Sequence, residues 1–501
     1  MRPSGPPTDS IPLWTTADGV DRDTGQAVVD LALRAGVAML ATGASAADVT
    51  ATVLMLTRAY GLTSVHVDVT YTSLTVSYHR GPRADPMTVM RIVPFRSQDF
   101  TRLERLRELI LSLTRDPLPV DEARVRFDGV VSSPHPYRRW LVTGAGGALA
   151  AGAAALVGAG PFIVLISFVT ALVVGRVMAW LSSAGIASFF AQSVGAAIPT
   201  LVATLVVALQ SRGLVFFGDV SPSLLVASGI VLLLSGLSVV GAAEDALEGY
   251  YVTAGARAFE VIALTLGIAV GVSTVLSLGA RLGFPIAITS QTRVTDELAL
   301  QVVCAVVISV AFAAMSYARG RVIVAAGVAG ALGWLVLALG ERLGIGSITV
   351  SAIAAATVGF VTRVAAPRLG YSALAVTTAA IVPLLPGRLA YQGISEIVSR
   401  PDETGVPSGL TTLAQAFGTG LALAAGVAMG TYFAGLIQAK RTGARPRPAA
   451  AASRRTVTRA VDGPRLSDTG EVPAVEPDVE HAAREPAAGS PPADAEPRTP
   501  A

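Results

Sequence analysis

One cysteine, Cys304, occurs in 501 residues. An internal disulfide is therefore excluded, as is any cysteine-ligated zinc or iron–sulfur site. Histidine is almost as scarce. His66, His79, His135 and His481 all lie outside the apolar runs, so a histidine relay or metal site within those runs is excluded, and no cofactor or metal is expected. Lysine occurs once, at Lys440, which leaves arginine to carry the basic charge. Charged residues make up only 15% of the chain, against about 25% in soluble domains. A net charge of +3 is too small to imply a nucleic-acid partner. The sequence also lacks Gly-x-Ser-x-Gly, His-Glu-x-x-His and phosphate-loop patterns, which argues against an enzyme.

What the chain has in abundance is apolar residues, 52% of the total, with a mean hydropathy of +0.59. A water-soluble protein of this size cannot bury that much apolar surface, so lipid is the expected environment. Composition divides the chain into five parts. Residues 1–24 are polar, carry several prolines and read as a disordered tail, with no apolar run after Met1 to suggest a cleavable signal peptide. Residues 25–137 have the mixed pattern of a small soluble α+β domain. Residues 138–280 and 281–440 are dominated by apolar runs, and residues 441–501, rich in Ala, Pro, Glu and Arg, form a second disordered tail.

In the soluble part, Val28, Leu31, Ala35, Val37 and Leu40 recur at helical spacing over Gly25 to Thr42. Ser45 followed by Asp48 is a capping-box variant that predicts a second helix, ending near Gly61. Val65, Val67 and Val69, then Leu74, Val76 and Tyr78, alternate as a hairpin, and Met87 to Phe95 reads as a third strand. Phe100 to Leu113 predicts a helix. His66, Asp68, Thr75, Ser77 and His79 fall on the polar face of the hairpin, where a solvated strand face accounts for them better than catalysis.

Ten apolar segments follow, at about 141–158, 162–180, 186–208, 223–242, 259–280, 298–316, 321–340, 346–365, 371–386 and 412–437; each approaches the roughly 20 residues that cross a bilayer. The ninth is short and holds Pro383 and Pro386, so a broken or re-entrant helix is expected there. Counting arginine and lysine at the segment ends, twelve lie on the side of the soluble domain and six on the other, which places both termini in the cytoplasm. The halves also echo one another. Leu233-Leu234-Ser235-Gly236 recurs 151 residues later as Leu384-Leu385-Pro386-Gly387, and Gly267-x-x-x-Gly271 recurs as Gly426-x-x-x-Gly430. The motif separations, 31 and 39 residues, differ by eight, which a loop over Pro401 to Ser408 absorbs. The expected fold is a polytopic α-helical membrane protein of five plus five helices. An odd number per repeat inverts the halves, as in many secondary transporters with a mid-membrane site.

The densest charge near the bilayer is Glu244, Asp245 and Glu248 at the end of the fourth segment, followed by Arg257 and Glu260. Glu244 and Glu248 share a helical face, and repulsion and the negative helix end oppose their ionisation, as proton coupling requires. Arg257 could neutralise one acid or hold a substrate carboxylate; a solvated loop is the plainer alternative. Arg176 either faces the site or snorkels to the interface. Gln192 and Pro199 are polar or helix-breaking features of the third segment, read either as ligand groups or as a packing kink. Pro386, Gly387, Tyr391 and Gln392 occupy the second half's equivalent of the acidic segment.

Three motifs, Arg34-Ala-Gly-Val-Ala-Met-Leu40-Ala-Thr-Gly-Ala44-Ser45, the strand pair Val65 to Ser77, and Gly241-Ala-Ala-Glu-Asp245-Ala-Leu-Glu-Gly249 running on to Arg257, together with Leu385-Pro-Gly387 and Tyr391-Gln-Gly393, carry a resemblance. The chain resembles the threonine/serine exporter family (ThrE type) over about residues 25–440. That resemblance implies a cytoplasmic N-terminal domain, ten spans in the plasma membrane, threonine and serine as substrates, and protons as the coupling ion. It also draws attention to Glu244, Asp245, Glu248 and Arg257 without dividing roles among them. Relatives with the halves on separate chains imply a dicarboxylate alternative. A membrane-anchored enzyme or sensor acting through the N-terminal domain is the third reading. A homo-oligomer is compatible with all three.

Overall fold

The computed structural model describes residues 20–80, 85–93, 98–212, 222–231, 233, 236–284, 294–399 and 405–442. Both expected tails therefore lie largely outside the described residues, as do Leu234 and Ser235 of the first repeat motif and residues 401–404 of the extra loop.

The N-terminal part is α+β. Helix α1 (Arg22–Ala41) is capped by Asp21, and α2 (Ala46–Ala59) by Ser45, whose oxygen accepts from the Asp48 amide at 3.2 Å. Strands β1 (Val65–Thr70), β2 (Ser73–Tyr78) and β3 (Met87–Ile92) form an antiparallel sheet in that order, with Val67 opposite Val76 and Val76 opposite Val89. Helix α3 (Phe100–Arg115) follows. One further helix, α4 (Val120–Val131), was not expected; only Ala123 and Phe127 of its residues are buried, too few to show a periodic stripe. The alternating valines, Leu74 and Tyr78 pack against α1 and α3 in one core, while His66 and Asp68 stay exposed on the opposite face.

The remainder is helical: α5 (Arg139–Leu156), α6 (Pro161–Ser183), α7 (Ser188–Ser211), α8 (Pro222–Val231), α9 (Gly236–Leu247) and α10 (Tyr251–Arg281), then α11 (Leu298–Met315), α12 (Gly320–Arg342), α13 (Ser347–Leu369), α14 (Ala373–Ile381) with a 3-10 turn at Val382–Leu384, α15 (Gly387–Ser399) and α16 (Gly405–Thr442). Among the described residues, eight helices are long and apolar enough to cross a membrane, and a ninth span results if the pair bent by 44° around Leu385 and Pro386 counts as one. One of the eight is α1, whose apolar residues are taken up in the core of the α+β part. Helix α5, mostly Gly and Ala, falls outside the set.

Two segments depart from expectation. The fourth apolar segment is not one helix: α8 ends at Val231 and α9 begins at Gly236. The fifth starts earlier than its apolar run, at Tyr251, so Arg257 lies on α10 and not in a loop. The ninth is broken, as its prolines foretold.

Close approaches fix how the helices run. A Cβ on Gly267 would lie 2.7 Å from the Phe189 carbonyl oxygen, and one on Gly271 2.0 Å from that of Ser193. Both numbers rise together, so α10 runs parallel to α7. Gly426 and Gly430 meet the carbonyls of Ala352 and Ala356 at 2.3 and 2.1 Å, so α16 runs parallel to α13 in the same way. A chain that makes two parallel helices must return between them, and the broken pairs α8–α9 and α14–α15 are the returning segments. Helices α5 and α11 are antiparallel: Tyr137 Oη, before α5, donates to Ala318 O, after α11, at 2.8 Å, while Thr295 N donates to Leu156 O at 3.1 Å at the other end.

Gly271→Ala is expected to destabilise the folded protein by about 1–3 kcal/mol, because the new methyl must displace a backbone carbonyl. Gly435→Ala, where a Cβ meets nothing within 4 Å, is expected to be silent. Thermal unfolding of the two purified variants checks this; equal midpoints would refute the packing.

Candidate functional site

The two helix breaks face each other. Gly236, where α9 starts, packs on Leu385, where α15 is about to start, at 3.3 Å between Leu385 Cβ and a Cβ built on the glycine. Around them lies a cavity of about 1110 Å³, bounded by α5, α7, the breaks, α10, α11, α12, α13, α15 and α16. Its wall is largely apolar, with polar groups set into it that include Gln192, Ser228, Thr265, Gln301, Ser351 and Tyr391, and with Glu341 and Arg388 as charged members. Arg342, also on its wall, is exposed.

Breaking a helix strips carbonyls of their i+4 partners, and in an apolar environment each must be satisfied by protein. Gln192 Nε2 donates to the Leu233 carbonyl at 3.2 Å. Tyr391 Oη, from α15, reaches across to the Ser223 carbonyl in the first turn of α8, at 3.2 Å, which ties the second half to the end of α8 away from its break. The second break closes on itself, with Leu385 N to Val382 O at 3.2 Å and Ala390 N to Pro386 O at 2.9 Å. Trp334 Nε1 donates to Gln301 Oε1 at 3.1 Å, which holds the Gln301 amide in place.

The sequence-derived candidates divide between two places. Gln192, Pro386, Gly387 and Tyr391 line the cavity. Gln392 does not; its amide donates to Glu396 at 3.1 Å. Pro199 is absent from the wall too, and its Cβ fills the space a Cβ on Gly229 would need, 2.3 Å away, so it packs α7 onto α8. Arg176 is exposed on α6, away from the cavity.

Glu244, Asp245, Glu248, Arg257 and Glu260 form the second place, the junction of α9 and α10 with the α+β part. Asp245 is fully buried and its Oδ2 lies 3.2 Å from Arg257 Nη1. Gly241, one turn before Asp245, leaves room for that guanidinium; a Cβ there would lie 2.5 Å from Nη1. Tyr250 Oη donates to Thr50 Oγ1 at 3.0 Å, Thr253 Oγ1 to Val69 O at 3.1 Å, and Tyr71 to Glu260. Glu248 lies in the turn after α9, outside the spanning helices. Burial first, then Glu244, Asp48 and Asp245, push its carboxyl up to about 8.

The α+β part also holds the other half. Phe100 N donates to Ser316 O at 3.0 Å, Thr101 donates to Tyr317 O, and Arg319 pairs with Glu104 at 3.5 Å. Tyr317 has φ 54°, the one non-glycine residue with positive φ among the described residues; the matching position after α5 is Gly158, at φ 75°. A tyrosine there costs about 1–2 kcal/mol of backbone strain, offset by its ring stacked on His135 at 4.3 Å.

Glu396 was missed by sequence reasoning. It accepts from Gln392 at 3.1 Å and from Ser408 and Thr412 at 2.9 Å, tying α15 to α16. The signal was available: Glu396 stands 151 residues after Asp245, the same separation as the Leu-Leu motifs. Gln301 and Trp334 were missed as well, although Gln301 is the one polar residue in the apolar run of its segment before Cys304.

Asp245→Asn leaves Arg257 charged and without its carboxylate, and is expected to cost about 3 kcal/mol of stability; the double variant with Arg257→Gln should regain most of it. A thermal unfolding cycle measures this, and additive losses would refute the pairing. For Glu248, the folded protein holds its proton more tightly than the unfolded chain. Stability contributed by that proton therefore falls as pH rises from the ordinary value of 4.5 towards about 8. Unfolding midpoints between pH 5 and 8 should decline less steeply in Glu248→Gln than in the wild type; identical slopes would contradict the assignment.

Comparison with known proteins fits this architecture. Residues 30–279 match the family model described as "Putative threonine/serine exporter" (ThrE), and residues 301–433 match "Threonine/Serine exporter, ThrE". A "Probable threonine/serine exporter" of Mycobacterium tuberculosis is 34% identical over 426 residues, covering 84% of this chain and 78% of the relative. A "Threonine/serine exporter" of Corynebacterium glutamicum is 33% identical over 433 residues, covering 86% of each. No solved structure matches the chain. The protein is thus a multi-pass membrane transporter and not an enzyme, and it belongs to the threonine/serine exporter family.

Proposed function

We propose that the chain exports small hydroxy amino acids, threonine and serine, across the plasma membrane through the cavity between the two helix breaks, in exchange for protons. The observation that carries this reading is the cavity itself: two interrupted helices, one from each half, meet at its wall with Gln192, Ser228 and Tyr391 beside them. Interrupted helices at a repeat interface are where secondary carriers hold their substrates.

The same reading takes the membrane part as ten spans in two inverted repeats, residues 138–280 and 281–440, behind a domain of residues 25–137. Supporting it, α11, α12 and α13 each begin 159 residues after α5, α6 and α7, at Leu298, Gly320 and Ser347 after Arg139, Pro161 and Ser188. The antiparallel α5 and α11 fit inverted halves, and the paired parallel helices fit one return crossing in each half. The reading has both termini in the cytoplasm, which the arginine placement supports. Proton exchange is assigned to the carboxylates of the α9–α10 junction, where Glu248 holds a proton up to about pH 8.

Counterflow in proteoliposomes tests the substrate. Labelled threonine outside should accumulate when unlabelled threonine or serine is trapped inside. Accumulation of labelled succinate instead would move the chain to dicarboxylate export, and no accumulation with any of them in folded protein would turn attention to the α+β domain. Asp245→Asn or Glu248→Gln is expected to retain counterflow but lose uphill threonine movement driven by a pH gradient; uphill movement at the wild-type rate in both variants would refute the coupling site.

A further inference from the structure

Gln192 is the polar side chain of the cavity wall with an unmet requirement. It is 8% exposed, its Nε2 is committed to the Leu233 carbonyl, and its Oε1 is buried with no hydrogen-bond partner among the described residues. A buried amide oxygen left unpaired is costly, and such groups are found where a ligand supplies the missing donor. The position is also held rigidly. A Cβ built on Gly267 of α10 would lie 3.4 Å from Gln192 Cβ, so the two helices are closely packed there, and the amide is anchored at its nitrogen, so the oxygen cannot turn away without giving up the break's carbonyl.

We propose that Gln192 Oε1 is the specificity-determining group of the carrier, accepting a hydrogen bond from a hydroxyl on the substrate's side chain. The proposal rests on the reading that the cavity is the substrate's path. A single neutral acceptor suits a hydroxyl; a substrate ammonium, fully charged, is better met by a carboxylate, and Glu341 supplies one at an exposed position on the same cavity wall. The surroundings sharpen the effect. Leu233, Ala227, Ala269 and Ile394 line the same cavity, and an apolar pocket alone cannot separate threonine from its isostere valine strongly, whereas a site that pairs the hydroxyl leaves a buried acceptor unpaired when valine binds. Ser228, in the same wall, already shares its hydroxyl with Ser167 at 2.7 Å and donates to Leu225 O, so it does not compete for the role.

The test is uptake of labelled threonine and of labelled valine by proteoliposomes holding the full chain, in the wild type, Gln192→Met and Gln192→Glu. The wild type is expected to prefer threonine. Gln192→Met, of similar size but without the acceptor, should lower the threonine-to-valine ratio of transport efficiency about tenfold, through KM for threonine, with valine little changed. Gln192→Glu keeps an acceptor oxygen while altering the bond to Leu233; it should hold the ratio nearer the wild type than Met does, which separates recognition from support of the helix break. An unchanged ratio in Gln192→Met, or equal loss of both substrates in Met and Glu, overturns the proposal. Equal loss in Met alone assigns the oxygen to the ammonium shared by both substrates, and also overturns it. A wild type that transports valine as well as threonine removes the hydroxyl selectivity, while a wild type that transports neither defeats the substrate reading beneath it.

Discussion

An interrupted helix in an apolar environment must find new partners for its backbone, and that constraint organises this molecule. Each half contains one interruption, and each is resolved differently. The second closes locally through a 3-10 turn, helped by prolines that have no amide to satisfy. The first borrows, taking Gln192 from α7 for the Leu233 carbonyl. The two interruptions meet at the cavity, and Gln192, recruited to the broken backbone, becomes part of its wall. Support of the broken backbone and the lining of the cavity thus meet in one residue, Gln192.

The halves are alike in packing and unlike in charge. Both use a Gly-x-x-x-Gly pair to bring two parallel helices into backbone contact. Between the returning segment and the last helix, however, the first half places a buried ion pair, Asp245 with Arg257, and the second places Glu396 among hydroxyls of Ser408 and Thr412. The α+β part is bonded to the first half at Tyr250, Thr253 and Glu260, and to the second at Ser316, Tyr317 and Arg319. Displacing one half against the other at that face costs hydrogen bonds on one side or the other. Only there does a tyrosine occupy the left-handed position that glycine holds after α5.

Much of this was legible from residues alone. The capping serine, the alternating hairpin and the apolar segments follow directly from local pattern, and Pro383 and Pro386 announced the second break. The first break was not legible, because Leu233 to Gly236 carries no proline and reads as continuous apolar helix. Helix α10 begins before its apolar run because its first turns hold Thr253, which bonds Val69 once the α+β part is docked, and Arg257, which pairs with Asp245. The acidic segment stood out in sequence, yet its contacts are with the docked part and with Arg257, not with the cavity. Gln192 was a candidate from sequence, but its partner, the Leu233 carbonyl at the first break, is visible only in the fold.

Cysteine accessibility at the meeting point of the breaks tests the central claim most directly. The sole native cysteine, Cys304, is buried and can be replaced by serine. In that background, Leu385→Cys should be modified by a membrane-impermeant thiol reagent, modification should stop threonine counterflow, and excess threonine should slow it. A cysteine there that is modified equally fast with or without threonine, while counterflow continues, would contradict a substrate path between the two breaks.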